Sequence, residues 1–175
     1  VALTIDIDLQ QVVEEALAQR IEEMVQTDGL ARAGAAVVVQ VGTGEVLALA
    51  SYPTFSLATY SQDLVQLQQD PMSPEYNRAT MGTYAPGSTF KPCTAIAALE
   101  TGIITTKTKI RDLGRYTYYK DYQPRCWIYT SRGTTHGLVD VSQAITDSCN
   151  YFFYDVGRQT GISTIAKYAS LFGLG

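Results

Sequence analysis

Hydrophobic residues recur at helical spacing through the first part of the chain. Between residues 9 and 25, apolar side chains return every three or four positions, which predicts a long amphipathic α-helix that ends near Gly29. Asp8 precedes this run and Gln11 follows three positions later, a capping-box pattern, so we expect Asp8 to cap the helix. The apolar face of such a helix is expected to pack on a sheet.

Two apolar runs rich in β-branched residues come next. Residues 35–41 and 45–51 flank the turn-forming sequence Gly42-Thr43-Gly44, which predicts an antiparallel β-hairpin. Because both runs are apolar at nearly every position, we expect both faces of this hairpin to be covered. Pro53 ends the second strand, and a polar stretch with a short helix over residues 61–69 is predicted to follow it.

The stretch that carries the candidate chemistry is residues 84–92, YAPGSTFKP. A proline–glycine break precedes a helix-forming run that stops at Gly102, so Ser88 is predicted to lie at the start of a helix. Residues three apart share one face of a helix, which places the Lys91 amine beside the Ser88 hydroxyl. A serine hydroxyl needs a neighbouring base to become a nucleophile, and lysine can serve when its pKa is lowered. Taken alone, the pattern favours a helix-capping serine followed by a solvated lysine, and only the context of the proline–glycine break and a second polar cluster favours the nucleophile.

A second polar cluster, Ser148-Cys149-Asn150, stands in an otherwise apolar stretch. By itself it favours a helix cap beside a turn. Because it accompanies a candidate nucleophile and base, we expect Ser148 and Asn150 to join Ser88 and Lys91 in one cleft.

The remainder of the chain divides into an irregular part and a helical part. Residues 103–135 are rich in Thr, Tyr, Arg and Lys, which predicts a loop-rich insertion with short extended pieces. Asp140 or Ser142 is expected to cap a following helix. Further helices are predicted after the Ser148 cluster and from Ile162 onward.

Composition narrows the class of protein. The chain of 175 residues is 46% hydrophobic with a net charge of −4, which predicts a single domain with a substantial core. No run of Lys and Arg is present, so we expect no nucleic-acid partner. A single histidine and three cysteines without Cys-x-x-Cys spacing predict no metal site, and no cofactor is expected. An odd cysteine count leaves at least one free thiol, and a Cys126–Cys149 bridge is compatible with the sequence.

Together these stretches resemble penicillin-binding proteins, and their order and spacing are most similar to the monofunctional (class B) transpeptidases. The similarity rests on the nucleophile motif and the Ser-x-Asn motif, and on three further stretches: residues 43–53, 136–141 and 172–175. It implies an α/β (α+β) fold of the β-lactamase/transpeptidase type, with an antiparallel sheet flanked by helices plus a mostly helical lobe. The implied organisation is one truncated domain over 1–175, with the sheet and nucleophile helix in 1–102 and the insertion and helical lobe in 103–175.

The resemblance also implies a function and roles for four residues. Ser88 would attack the D-Ala–D-Ala carbonyl of a peptidoglycan stem peptide, Lys91 would take its proton, and Ser148 would relay protons. Asn150 would hydrogen-bond both Lys91 and the amide side of the substrate. The implied partners are stem peptides, β-lactam antibiotics and other cell-wall synthesis proteins. The implied location is the extracytoplasmic face of the bacterial membrane, with the anchor outside residues 1–175; no stretch here is long and apolar enough to span a bilayer.

One family feature is missing, and it leaves alternatives open. The third motif, Lys-Ser/Thr-Gly on a β-strand, does not occur after Asn150. We therefore expect the chain to end before the later strands and to be inactive or very weak alone. The same motifs would also suit a serine β-lactamase, a D,D-carboxypeptidase, or a non-catalytic penicillin-binding sensor or scaffold domain.

Overall fold

The computed structural model describes residues 2–174, which fall into two compact units divided between Tyr84 and Ala85. The first unit contains a long helix, an antiparallel β-hairpin and two short helices. The second contains the remaining helices and a small two-stranded sheet. Helices combined with small antiparallel sheets agree with the predicted α/β class. Ser88 and Lys91 both belong to the second, mainly helical unit.

Helix α1 spans Ile7–Asp28 and ends as predicted at Gly29, whose left-handed backbone (φ 71°) lets its N–H reach the Val25 carbonyl at 2.7 Å. The N-cap of this helix is Asp6 and not Asp8, so the sequence prediction of the cap was wrong. The Asp6 carboxylate accepts from the backbone N–H groups of Asp8 and Leu9, both at 3.1 Å. Asp6 has the extended backbone that an N-cap needs, whereas Asp8 is already inside the helix.

The predicted hairpin is present as β1 (Gly34–Val39) and β2 (Val46–Tyr52), paired antiparallel. Helix α1 lies along β2, and the Gln10 side-chain amide bonds both the N–H and the carbonyl of Leu49, at 2.7 and 3.0 Å. The expectation that both faces are covered is wrong for β1, where Val37 and Val39 are about half exposed. Helix α1 covers one face only, so alternate β1 side chains face away from it.

Two short helices complete the first unit: α2 (Tyr60–Gln69) and α3 (Arg78–Met81). Arg78 holds the segment between them, because its guanidinium donates to the carbonyls of Met72, Ser73 and Tyr76. A side chain with so many carbonyl partners fixes a loop that lacks regular backbone pairing.

The second unit begins with a 3₁₀ turn over Gly87–Phe90 that runs directly into α4 (Lys91–Glu100). The elements that follow are β3 (Ile110–Asp112), α5 (Trp127–Arg132), β4 (Gly137–Val139), α6 (Val141–Thr146), α7 (Asn150–Thr160) and α8 (Ile162–Leu171). Asp140 caps α6 through the Gln143 N–H at 3.0 Å, which decides between the two predicted caps.

The core of the second unit forms where α4 meets α7. Ala95 and Ala98 of α4 and Phe152 and Val156 of α7 are at most 2% exposed. Small side chains on α4 allow α7 to approach closely, because helix separation depends on the residues at the contact. This packing sets the distance between Lys91, at the start of α4, and the turn that precedes α7.

The insertion is irregular, as predicted, and contains an antiparallel loop that runs from Gly114 to Cys126. The Cys126 N–H donates to the Gly114 carbonyl at 2.7 Å. Gly114 has φ 81°, and a Cβ there would lie 2.3 Å from the Tyr129 ring, so only glycine fits. Within residues 2–174, no helix combines the length and the apolar character needed to cross a bilayer.

We predict that Asp6→Ala destabilises the chain more than Asp8→Ala does. Asp6→Ala removes the N-cap of α1 and is expected to cost about 1 kcal/mol of unfolding free energy. Asp8→Ala loses only a favourable charge in the first turn, worth about 0.3–1 kcal/mol. Urea unfolding of both variants makes the comparison, and a larger loss for Asp8→Ala would contradict the observed cap.

Candidate active site

Ser88 lies in the 3₁₀ turn that precedes α4, and its side chain is exposed. Gly87 adopts φ 55°, a left-handed conformation that redirects the chain after Pro86 and brings Ser88 into the turn. The first N–H groups of a helix have no partner within it, so they can bind a negatively charged oxygen. The sequence therefore places an accessible hydroxyl beside backbone donors, as predicted.

Lys91 is half-buried and makes three hydrogen bonds with its amine. The Nζ atom donates to the Ser148 carbonyl at 2.8 Å, to Ser148 Oγ at 2.9 Å and to Asn150 Oδ1 at 2.6 Å. It also lies 5.6 Å from the centre of the Phe153 ring. Among residues 2–174, every polar contact of the amine is with the Ser148–Asn150 segment, and these contacts connect α4 to the start of α7.

Ser148 occupies a strained turn between α6 and α7. Its φ is 51°, a left-handed conformation that non-glycine residues seldom adopt. Two backbone bonds hold the turn, from Ser148 N–H to the Ile145 carbonyl at 3.1 Å and from Cys149 N–H to the Ala144 carbonyl at 2.8 Å. The Trp127 indole N–H also donates to the Asp147 carbonyl at 2.9 Å. Strain of this kind persists only where the surroundings over-determine the backbone, and it concentrates at functional sites.

The four side chains singled out from the sequence meet in one place, but in an order that the sequence did not indicate. Ser148 Oγ lies 3.0 Å from Ser88 Oγ and 2.9 Å from Lys91 Nζ. Ser88 and Lys91 make no direct hydrogen bond with each other in the described part of the chain. Their spacing of three residues predicted direct contact, but the amine turns toward the three acceptors of the Ser148–Asn150 segment.

Burial lowers the pKa of Lys91 below its ordinary value. The partial negative charge of the Cys126 and Cys149 thiols acts in the opposite direction, but desolvation is the larger effect. A lysine with a lowered pKa is neutral at lower pH than usual and can then accept a proton. The direction of this shift is the one that a lysine base requires.

A second group of reactive side chains lies directly behind the Ser148 turn. One ligand atom from each of four residues lies within 4.8 Å of the others, and the four residues are Asp112, Cys126, His136 and Cys149. Oxygen, nitrogen and sulfur donors of this kind could hold a divalent metal ion. The sequence prediction of no metal site relied on the single histidine and the absence of Cys-x-x-Cys spacing. Neither feature detects ligands gathered from four separate segments.

Burial and hydrogen bonding together shift the pKa values of Asp112 and Cys149. Burial alone would raise the pKa of Asp112, but N–H donors from the backbone of His136 and Gly114 outweigh it and hold that pKa below its usual value. Burial raises the pKa of the Cys149 thiol to about 12. The cysteines at 93, 126 and 149 are all free and buried, so the bridge between Cys126 and Cys149 that the sequence allowed is not formed.

Comparison with known proteins identifies the family. The sequence model of the penicillin binding protein transpeptidase domain matches residues 34–175. The peptidoglycan D,D-transpeptidase MrdA of Acinetobacter baumannii is 35% identical over 179 residues, covering 99% of this chain and 24% of that protein. The chain thus spans about a quarter of the length of this relative.

Solved structures show the same fold. PBP2 of Pseudomonas aeruginosa, in complex with WCK 5153, matches with a TM-score of 0.80 and 33% identity over 98% of this chain and 37% of that one. Penicillin-binding protein A of Mycobacterium tuberculosis, as its imipenem acyl-enzyme, matches with a TM-score of 0.80 and 30% identity over 98% of this chain and 39% of that one. Since the family model spans most of its length and solved members share its fold, the chain belongs to the penicillin-binding protein transpeptidase domain family.

Proposed function

We propose that this chain carries the acylating centre of a peptidoglycan D,D-transpeptidase, with Ser88 as nucleophile. The observation that carries the proposal is the continuous hydrogen-bonded path from Ser88 Oγ through Ser148 Oγ to Lys91 Nζ, with steps of 3.0 and 2.9 Å. A nucleophile activated through a positioned base is the arrangement that covalent acyl transfer requires.

The contacts of Lys91 indicate how the proton moves. A neutral amine keeps two N–H donors and gains one lone pair. The two donors serve the Ser148 carbonyl and Asn150 Oδ1, which can only accept, and the lone pair then accepts from the Ser148 hydroxyl. Ser148 in turn accepts the Ser88 proton as Ser88 attacks. Ser148 is thus the proton relay between nucleophile and base, and Asn150 orients the amine.

We infer a peptidoglycan stem peptide as the substrate from this chemistry and from the family. Ser88 attacks the D-Ala–D-Ala carbonyl of a stem peptide, the Ser88 N–H receives the developing oxyanion, and D-Ala leaves with a proton returned through Ser148. An amine of a second stem peptide then attacks the acyl-enzyme and forms the crosslink. A β-lactam would acylate Ser88 Oγ in the same way. The imipenem acyl-enzyme of the Mycobacterium tuberculosis relative supports this proposal.

The proposed activity needs more than these residues. In the family, the second oxyanion donor comes from the Lys-Ser/Thr-Gly strand, and losing one such donor raises the barrier by roughly 3–4 kcal/mol. We therefore expect residues 1–175 alone to be slow. The experiments below use an extended polypeptide, in which residues 1–175 continue through that strand. We place the enzyme at the extracytoplasmic face of the membrane, where its substrate and other cell-wall synthesis proteins lie.

Fluorescent penicillin tests the nucleophile. The extended polypeptide should form a covalent adduct, and mass spectrometry should locate it on the peptide that contains Ser88. Ser88→Ala should abolish labelling, while Ser142→Ala, an exposed serine on α6, should leave it unchanged. Labelling that survives in Ser88→Ala would exclude Ser88. Rapid release of hydrolysed penicillin would favour a β-lactamase, and a folded protein without labelling would favour the sensor or scaffold reading.

The relay role of Ser148 has its own test. We expect both Ser148→Ala and Ser148→Gly to slow acylation by about 10²–10⁴-fold, the usual contribution of a positioned proton-transfer group. Glycine adopts φ 51° without strain, so equal losses in both variants assign the effect to the hydroxyl. Stopped-flow acylation rates make the measurement. If Ser148→Gly acylates at the unsubstituted rate while Ser148→Ala is slow, Ser148 is needed for the backbone conformation and not for its hydroxyl. Lys91 would then take the proton directly.

The lowered pKa of Lys91 predicts a pH profile. Because acylation needs the neutral amine, its rate should rise with pH and level off above the pKa of Lys91 in the folded protein. Burial lowers that pKa, so the midpoint of the rise should lie below the ordinary lysine value of about 10.4. Lys91→Ala should remove this rising limb, while Lys167→Ala, an exposed lysine on α8, should keep it. A rising limb whose midpoint lies at the ordinary lysine pKa would contradict the assignment of Lys91 as the base.

A further inference from the structure

A loop rich in tyrosine lies at the surface of the second unit, between β3 and α5. This tyrosine loop, residues 115–125, has the sequence RYTYYKDYQPR. Three of its tyrosines are between 50% and 70% exposed, and they are Tyr118, Tyr119 and Tyr122. Single exposed aromatic residues are common, whereas several exposed together mark a surface that contacts something else. The packing of the loop therefore does not account for these three rings.

The loop is held in place although its rings are exposed. Tyr116 is 5% exposed, and its hydroxyl donates to Asp155 Oδ1 at 2.8 Å and accepts from Arg158 Nε at 2.7 Å. The Arg158 guanidinium also lies 4.0 Å from the centre of the Tyr118 ring. Because these contacts fix Tyr118 before a ligand arrives, binding on its ring costs little conformational entropy.

The tyrosine rings connect the loop to the candidate site. Tyr151 follows Asn150 in sequence, and its ring meets the Tyr116 ring edge-on, with centroids 5.3 Å apart. Tyr116 stacks with Tyr118 at 6.3 Å, and Tyr118 meets Tyr119 edge-on at 4.9 Å. Four rings in succession thus lead from the start of α7 to the surface. The exposed rings are therefore joined by direct packing to the segment that carries Asn150.

The tyrosine loop also ends a strongly basic stretch. Residues 107–125 contain six Lys or Arg side chains and two aspartates, a net charge of +4, whereas the whole chain carries −4. Of the two aspartates, Asp112 is buried and hydrogen-bonded to His136. All six cations are exposed, and within residues 2–174 none of them forms an ion pair. A cationic surface without neutralising partners attracts an anionic ligand.

Two of these cations lie directly opposite each other. Arg115 and Arg125 form an antiparallel bridge that closes the tyrosine loop. Side chains of directly opposed residues lie on the same face of the pair, and like charges there repel each other. A carboxylate bound between the two guanidinium groups would remove this repulsion, since guanidinium and carboxylate groups form strong charge-assisted hydrogen bonds. The closed end of the loop is therefore suited to a carboxylate.

The chemistry of this surface selects a ligand that combines sugar rings with carboxylates. The C–H faces of a sugar ring stack on aromatic rings, while its hydroxyl groups bond polar atoms, and tyrosine offers both a ring and a hydroxyl. A stem peptide ends in the carboxylate of D-Ala, so a glycan strand that carries stem peptides is anionic. An anionic membrane is the competing partner. The loop contains no Phe, Leu, Ile, Val, Met or Trp to enter the acyl region of a bilayer, which favours the glycan.

We propose that the tyrosine loop is a docking site for the uncrosslinked glycan strand of peptidoglycan, with sugar rings on Tyr118 and Tyr119 and stem-peptide carboxylates at Arg115 and Arg125. Docking keeps the strand beside α7 and so raises the local concentration of its stem peptides at the acylating centre. The inference rests on the proposed function for the identity of the ligand, whereas binding is measured without any acylation.

Binding is tested with the extended polypeptide carrying Ser88→Ala, which forms no covalent adduct. The probe is a short, soluble, uncrosslinked glycan strand that carries pentapeptides, and calorimetry measures its affinity. The same strand stripped of its peptides by an amidase, and the free pentapeptide, should each bind at least about tenfold more weakly, because each keeps only one of the two sets of contacts. Affinity for the intact strand should also fall as salt is added. Failure of the intact strand to bind would overturn the proposal.

Substitutions then assign the binding to the tyrosine loop. Tyr118→Ala should weaken binding of the intact strand about fivefold or more, while Tyr118→Phe, which keeps the ring, should bind nearly as well as the parent. Arg115→Ala should weaken binding and reduce its dependence on salt, whereas Lys167→Ala, an exposed lysine on α8, should change neither. Equal affinities of Tyr118→Ala and Tyr118→Phe would overturn the assignment to the ring. Circular dichroism verifies folding, and the comparison of intact and stripped strands needs no substitution in the loop.

Two further measurements separate this inference from its alternatives. Binding to phosphatidylglycerol vesicles without binding to the glycan strand would assign the loop to the membrane and overturn the proposal. Penicillin labelling of Ser88 is measured in parallel on the extended polypeptide with its serine intact. Labelling without glycan binding would overturn this inference alone, and glycan binding without labelling would overturn the proposed function alone.

Discussion

The amine of Lys91 is the contact on which the candidate site depends, because it joins two segments that lie 57 to 59 residues apart in sequence. Three acceptors surround it at 2.6–2.9 Å, and together they hold the start of α4 against the turn before α7. These acceptors favour the charged amine, whereas burial favours the neutral one, and burial decides the direction of the pKa shift. One side chain is therefore both a structural tie and a candidate base.

The turn that receives this amine is strained, and the strain has a geometric consequence. The left-handed backbone of Ser148 directs its hydroxyl between Ser88 and Lys91. Such a conformation costs about 1–3 kcal/mol, which the surrounding contacts must offset. The buried Cys149 beside it and the indole bond of Trp127 to the Asp147 carbonyl anchor the turn to the core. The geometry of the candidate site thus depends on the packing behind it.

Most of the regular structure followed from local pattern, and the errors have specific physical causes. The end of α1 at Gly29, the β1–β2 hairpin and the helix after Ser88 were all predicted from periodicity and turn residues. The cap of α1 was misplaced at Asp8, because Asp6 and Asp8 both satisfy the composition of a cap and only the backbone distinguishes them. The covering of β1 was misjudged, because an apolar run does not reveal how many layers pack on it.

The sequence by itself determined the family and the identity of the four polar side chains at the candidate site, because the motifs around Ser88 and Ser148 have a characteristic order and spacing. Only the tertiary structure decided that Ser148 stands between Ser88 and Lys91, since that contact spans 60 residues and depends on how α4 packs against α7. The same holds for the gathering of Asp112, Cys126, His136 and Cys149. Ligands from four separate segments have no local spacing, so chain folding alone brings them together.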